Sequence, residues 1–257
     1  MTKVTFEQML NAGVHFGHLK RKWNPSMSPY IFDEKKGIHV IDLNKTLIKL
    51  REASKAMRQI AKSGRKILFV ATKKQAKEIM STKVEEVNMP SITERWPGGL
   101  LTNFKTTRKT IKKMTSIDKM MKDGTADTMS KRERLQLSRK REKIDKIFGS
   151  ISDMNRLPAA IFIVDVKKEH IALSEAKNLK IPIFAMVDTN SSPAGIDFVI
   201  PSNDDATKSI DLVISTLCDA IKEGLGERKQ TKEKIAQEKA AEEANEENKE
   251  QKLEDKS

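Results

Sequence analysis

"AAIFIVD" at residues 159–165 and "IPIFAMVD" at residues 181–188 decide the fold. Each is a short, unbroken apolar run ending in an aspartate. A strand with one wet face alternates apolar and polar residues, whereas a strand covered on both faces stays apolar throughout. "KILFVAT" (66–72) and "FVIP" (198–201) have the same character, and a shorter run near 91–93 suggests a further strand. Helical stripes alternate with these runs: Leu47, Leu50, Met57, Ile60 and Ala61; Ala76, Ile79, Met80, Val84 and Val87; Ile210, Val213, Ile214, Leu217 and Ile221. Strand and helix in turn imply right-handed βαβ units and a parallel sheet with helices on both faces. The last stripe follows "SNDD", where Ser202 and Asp205 fit a capping box. Ahead of the sheet, "YIFDEKKGIHVID" (30–42) predicts a hairpin turning at its "KKG".

A second pattern interrupts the alternation. Phe104, Ile111, Met114 and Met121 recur at heptad-like spacing, "KDGTAD" (122–127) breaks it, and Leu137, Ile144, Phe148 and Ile151 resume it, predicting an antiparallel helical coiled-coil hairpin. The division expected is an α/β domain over 1–103 and 152–226 with an N-terminal extension over 1–43, a helical hairpin over 104–151, and a disordered charged tail, or a fraying helical one, over 227–257. The tail holds only Ile235 and Leu253 as large apolar residues, too little burial to offset the entropy of ordering.

Charge points to a polyanionic partner. The 257 residues carry 49 Lys and Arg against 36 Asp and Glu, a formal net charge of +13. Fifteen of the cations, against 6 acids, lie between residues 104 and 148, and a surface serving solubility alone would mix the signs. The lone cysteine, Cys218, excludes an internal disulfide, suits a reducing compartment and reads as a small buried hydrophobe. The opening residues lack a signal-type apolar region and no 18-residue apolar run occurs, so the cytosol is expected and a membrane is not.

A parallel sheet invites an enzyme, and its usual devices are missing from the sequence. The turn after "KILFVAT" reads "KKQAKEI", with lysines where a phosphate cradle needs glycines, and no G-x-x-x-x-G-K-[ST], G-x-S-x-G or H-E-x-x-H occurs. A nucleotide-dependent enzyme with a degenerate site near Asp165 and Asp188 remains one alternative, and a free RNA-binding regulator another. His15 and His18, spaced H-x-x-H, can turn toward the acids at the carboxyl edge of the sheet, Asp165, Asp188 and Asp204 or Asp205. No cofactor is required, but His18, Asp188 and Asp204 are a candidate set for a divalent ion, magnesium or zinc.

Two stretches mix cations, aromatics and turn residues. "GVHFGHLKRKWNPSMSPYIF" (13–32) places His15, His18, Lys20, Arg21 and Lys22 beside Trp23 and Asn24. "ERWPGGLLTNFKTTRKTIKK" (94–113) places Arg95, Trp96, Gly98, Gly99 and Asn103 ahead of Lys105, Arg108, Lys109, Lys112 and Lys113. Basic and stacking groups on irregular backbone suit folded RNA, so these residues are the candidate RNA-facing set, with Trp23 and Trp96 as stacking platforms.

"AGVHFGHLKRKWNPSMSPYIF", "RWPGGLLTNF", "LPAAIFIVD", "IPIFAMVDTNSSP" and "VIPSNDDA", in this order across about residues 4–224, closely resemble the S-two family of bacterial small-subunit ribosomal proteins. The resemblance implies a flavodoxin-like sheet with a protruding helical hairpin. It further implies a non-enzymatic protein, not a homo-oligomer, bound to small-subunit ribosomal RNA between head and body, among other small-subunit proteins, where it helps seat the protein S-one. Pro97 and Ser192 depart from the family pattern, which has leucine and aspartate there; the second removes one carboxylate from the acidic edge.

Overall fold

The computed structural model describes residues 4–123 and 129–254, with residues 232 and 234–254 described by backbone alone. Five strands form one parallel sheet: β4 (Ile67–Val70), β5 (Ser91–Ile92), β6 (Ala160–Val164), β7 (Ile183–Val187) and β8 (Phe198–Pro201). Their order is β5-β4-β6-β7-β8, the flavodoxin-like order, in which the chain reverses direction between β4 and β6.

The apolar runs serve two cores at once. Ile67, Phe69, Phe162, Val164, Phe184 and Met186 face the layer built by α2 (Leu43–Lys62), α3 (Lys74–Glu86) and α7 (Thr207–Glu254). Leu68, Val70, Ile161, Ile163, Ile183 and Ala185 face the opposite layer, which includes α6 (His170–Asn178) and the residues around Trp96. Alternate side chains point to opposite faces, and both faces are covered, so no polar position remains within β4, β6, β7 and β8. The helical stripes are seated as expected: Leu50, Met57, Met80, Val84 and all five residues of the 210–221 stripe are buried. Cys218 is buried among them, and burial pushes its thiol up to about 12.

In the N-terminal region, β2 (Ile31–Lys35) and β3 (Ile38–Ile41) form the predicted hairpin. Lys36 and Gly37 both have positive φ, 52° and 76°, the left-handed pair that a two-residue hairpin turn requires. A third strand that the sequence does not announce, β1 (Phe16–Leu19), pairs with β3, and a short helix α1 (Phe6–Asn11) precedes it. Four residues broken by Gly17 and His18 offer no periodicity to read.

The capping expectation is corrected. Ser202 does not cap α7: its hydroxyl donates to Ile200 O, while Asn203 Oδ1 accepts the Asp205 and Ala206 N–H groups. Asp205 instead turns its carboxylate to Lys73 and His18. Residues 227–254, the segment read as a disordered or fraying helical tail, continue α7 as helix. The segment is rich in the strong helix formers Ala, Glu, Lys and Gln, and Glu227 is held by Arg58 and by Lys62 at 3.2 Å.

The basic segment folds as α4 (Phe104–Lys122) and α5 (Lys131–Phe148), packed together and bridged by Arg141 Nε to Asp118 at 2.9 Å. The anticipated break at 124–127 lies outside the described residues. The buried seam is shorter than the heptad reading: α4 buries Thr107, Ile111, Met114 and Ile117, Met121 is exposed, and α5 buries no residue.

Replacing Phe162, fully buried 5.3 Å from the ring of Phe69, by alanine is expected to cost about 3–5 kcal/mol. Phe32→Ala, at a side chain 75% exposed, is expected to change stability by less than about 0.5 kcal/mol. Urea unfolding of the two variants beside the parent protein checks both.

Candidate nucleic-acid interface

The loop between β5 and α4 is organised by a residue that sequence reading passed over. Glu175, on α6 and only 6% exposed, accepts from Trp96 Nε1 at 3.0 Å and Gly99 N at 2.8 Å through one oxygen. The other oxygen accepts from Leu101 N at 2.9 Å, Thr102 N at 3.1 Å and the Thr102 hydroxyl at 3.3 Å. Gly99 sits at φ 81°, which a side chain resists, and this lets consecutive N–H groups converge on the carboxylate. Burial alone would push the Glu175 carboxyl up, but the indole and backbone donors outweigh it and hold the group below the usual glutamate range.

This geometry overturns one expectation and repositions others. Trp96 is buried with its N–H satisfied by Glu175, so it cannot stack on a base; its ring is core and its function is to build the loop. Trp23 is half-buried, with its ring 5.0 Å from that of His39. Asn24 is a turn cap, its side chain accepting from Ser26 N and its own N–H donating to Thr189 O at 2.8 Å. Arg108 is half-buried and donates to Asn155 O at 2.7 Å. Arg21, Lys22, Arg95, Gly98, Asn103, Lys105, Lys109, Lys112 and Lys113 are exposed. Lys20 is exposed too, paired with Glu34 at 2.7 Å. Asn103 makes no side-chain cap for α4, whose first turn holds no acid, so this helix end keeps its positive potential. Where α4 meets α5, Lys113 lies close enough to Lys140 to lower the latter's pKa.

The H-x-x-H pair is divided. His15 lines a groove beside Phe16, with ring centroids 4.0 Å apart, and burial followed by Lys35 lowers its pKa. His18 faces the carboxyl edge of the sheet, its Nδ1 3.0 Å from Asp188 and its Nε2 3.2 Å from Asp205. The hydrogen bond to Asp188 raises its pKa against the opposing effect of burial. Asp204 completes a trio with His18 and Asp188, and burial together with Asp188 and Asp165 pushes its carboxyl up to about 7. Lys73, the residue just before α3 where a phosphate loop would stand, places its ammonium 2.7 Å from Asp204, 2.6 Å from Asp205 and 3.5 Å from Asp165. The crevice that such sheets offer to ligands is thereby filled from within. The signal for Lys73 was the lysine pair standing in place of glycines; nothing marked Glu175, which sits among ordinary helix formers.

A doubly wound sheet whose ligand crevice is closed by its own ion pairs, carrying a pair of cationic helices, defines an α/β scaffold rather than a nucleotide-handling domain. The family model described as Ribosomal protein S2 matches residues 9–224, and the chain belongs to that family. It is 65% identical over 228 residues, 89% of this chain and 87% of the relative, to the small ribosomal subunit protein uS2 of Azobacteroides pseudotrichonymphae genomovar. CFP2. To the proteins of the same name from Parabacteroides distasonis and Porphyromonas gingivalis it is 61% and 62% identical over 232 residues, 90% of this chain and 84% and 83% of theirs. The protein is therefore a structural component of the small ribosomal subunit, with a part in translation and no enzymatic role. Among the described residues no helix is long and apolar enough to cross a membrane.

The depressed Glu175 carboxyl contributes stability above the ordinary glutamate value, near 4.3, and that contribution is lost as pH falls through the lower folded value. Melting temperatures measured from neutral pH down to acid are expected to show this drop in the parent. Glu175→Gln is expected to be less stable at neutral pH by about 1–3 kcal/mol, with a flatter acid limb.

Proposed function

We propose that the exposed cations of α4, α5 and the segment 20–22 bind small-subunit ribosomal RNA between head and body, and that the groove beside His15 helps seat the ribosomal protein S-one. The observation that carries the first part is the juxtaposition of Lys113 and Lys140 within a helix pair already dense in lysine and arginine. Like charges held side by side have no folding rationale, and a phosphate between them relieves the repulsion. Lys105, Lys109 and Lys112 continue the same exposed surface toward the uncapped start of α4. Phosphate contacts give position rather than sequence, so RNA shape supplies the register.

For the second part, the support is an apolar groove of about 530 Å³ between α1 and the β2–β3 hairpin. Phe6, Leu10, Phe16 and Phe32 line it at 45%, 46%, 51% and 75% exposure. Apolar side chains gathered this openly mark a protein-docking surface, and Lys35 and Lys36 on its rim favour an acidic partner segment.

Affinity for a small-subunit RNA fragment is expected to fall steeply with salt, and Lys112→Ala with Lys113→Ala to reduce the log–log slope by about one for each phosphate left without its cation. Filter binding across salt concentrations measures it; a flat salt response, or a slope equal to the parent's, contradicts the RNA-facing assignment. Phe16→Asp with Phe32→Asp is expected to leave incorporation into small subunits intact while lowering the S-one that sediments with them by about tenfold, read from sucrose-gradient fractions.

A further inference from the structure

We infer that the ring pair of Trp23 and His39 is a slot for one unpaired nucleobase of the bound RNA, an assignment that rests on the RNA-facing reading above. His39, on β3, is 6% exposed, yet neither its Nδ1 nor its Nε2 has a hydrogen-bond partner among the described residues. A buried polar atom left unpaired costs stability, and this imidazole carries two. Strands that face each other bring their directly opposite side chains together, and the residue opposite His39 is Glu34 on β2. Its carboxylate is taken by Lys20 at 2.7 Å instead. An apolar ring would fill the same place without the unpaired nitrogens, so packing does not account for a histidine there.

Trp23 covers the imidazole. The ring centroids are 5.0 Å apart and the planes 42° from parallel, a contact that leaves both ring nitrogens unserved. The indole is half-buried, and the main chain around it is fixed. Lys20 N donates to Gly37 O at 2.9 Å, Trp23 N to Lys20 O at 3.3 Å and Asn24 N to Thr189 O at 2.8 Å. Rotation about the side-chain bonds of Trp23 therefore moves the indole alone. Trp96 is the contrast, a buried ring with its N–H held by Glu175.

Turned outward, the indole leaves a space with a stacking face on one side and His39 at its floor. A neutral imidazole has one N–H and one lone pair, and either nitrogen can carry the proton. A base stacked on the indole thus meets a ring that serves as donor or as acceptor, which suits an unpaired base of any identity. Arg21 and Lys22, exposed immediately before the indole, are placed for the phosphates flanking such a base. Bases in a duplex are paired and stacked, so the slot takes a loop or bulge nucleotide.

The test is filter binding of the full chain to small-subunit ribosomal RNA across salt concentrations, with thermal melting and tryptophan emission of the same proteins. His39→Phe and His39→Leu, which remove both nitrogens at a larger and a smaller volume, are expected to bind about tenfold more weakly. The better packed of the two is expected to melt about 2–4 °C above the parent. His39→Gln, which keeps a donor and an acceptor, is expected to bind as the parent does, whereas a packing role predicts that Gln is the most damaging of the three. Trp23→Leu is expected to weaken binding by about tenfold. RNA is expected to quench the parent's emission and to leave that of Trp23→Leu, whose remaining tryptophan is Trp96, unchanged. Parental affinity in His39→Phe and His39→Leu, melting of both below the parent, or RNA binding without quenching overturns the inference. Parental affinity in these variants with a steep salt slope removes the slot alone; a parent that leaves the RNA unbound removes the RNA-facing assignment with it.

Discussion

The carboxylate of Glu175 is the interaction on which the arrangement of the protein rests. It is buried, charged, and satisfied by five donors from one loop, and a buried ion is stable only when its lone pairs are filled in this way. Because those donors all lie between residues 96 and 102, the loop has one conformation rather than many. Helix α4 starts two residues later, so its direction away from the sheet is inherited from the acid on α6. Trp96 covers the loop from the core side, which is why an aromatic in a basic stretch serves packing and not stacking.

The sheet imposes a second constraint. Strands buried on both faces leave no room for a polar side chain until they end, so the acids after β6, β7 and β8 are forced into one neighbourhood at the carboxyl edge. In proteins of this topology the same edge receives nucleotides. Here Lys73 takes the phosphate's electrostatic place with the opposite sign, and its ammonium, held charged by Asp204 and Asp205 against the effect of burial, neutralises acids instead of binding anions. The edge becomes a junction between the N-terminal strands and the sheet, joined by His18, by Thr189 and by Asn203, whose side chain donates to Gly13 O at 3.1 Å.

Charge is then divided by location. The acids gather inward at this junction, while the cations of α4 and α5 face outward along a pair of helices of which α5 buries nothing. A helix with no buried residue gains little from its own fold, so its composition is free to answer a partner, and a charge run of one sign is what a phosphate backbone selects.

The four long apolar runs, the three helical stripes, the hairpin turn and the helical pair were legible in the residues, because each rests on an unbroken apolar run, on a helical period or on a glycine that local geometry demands. The trio His18, Asp188 and Asp204 was also within reach, since strand ends in a parallel sheet meet at one edge whatever their separation in the chain. Glu175 was not, nor the burial of Trp96, the Asn203 turn ahead of α7 in place of a Ser202 cap, or the β1 strand. Each of these depends on which donor meets which acceptor across intervals such as the 79 residues between Trp96 and Glu175. A single residue's chemistry permits many such pairings, and only the packing of the two layers against the sheet selects one.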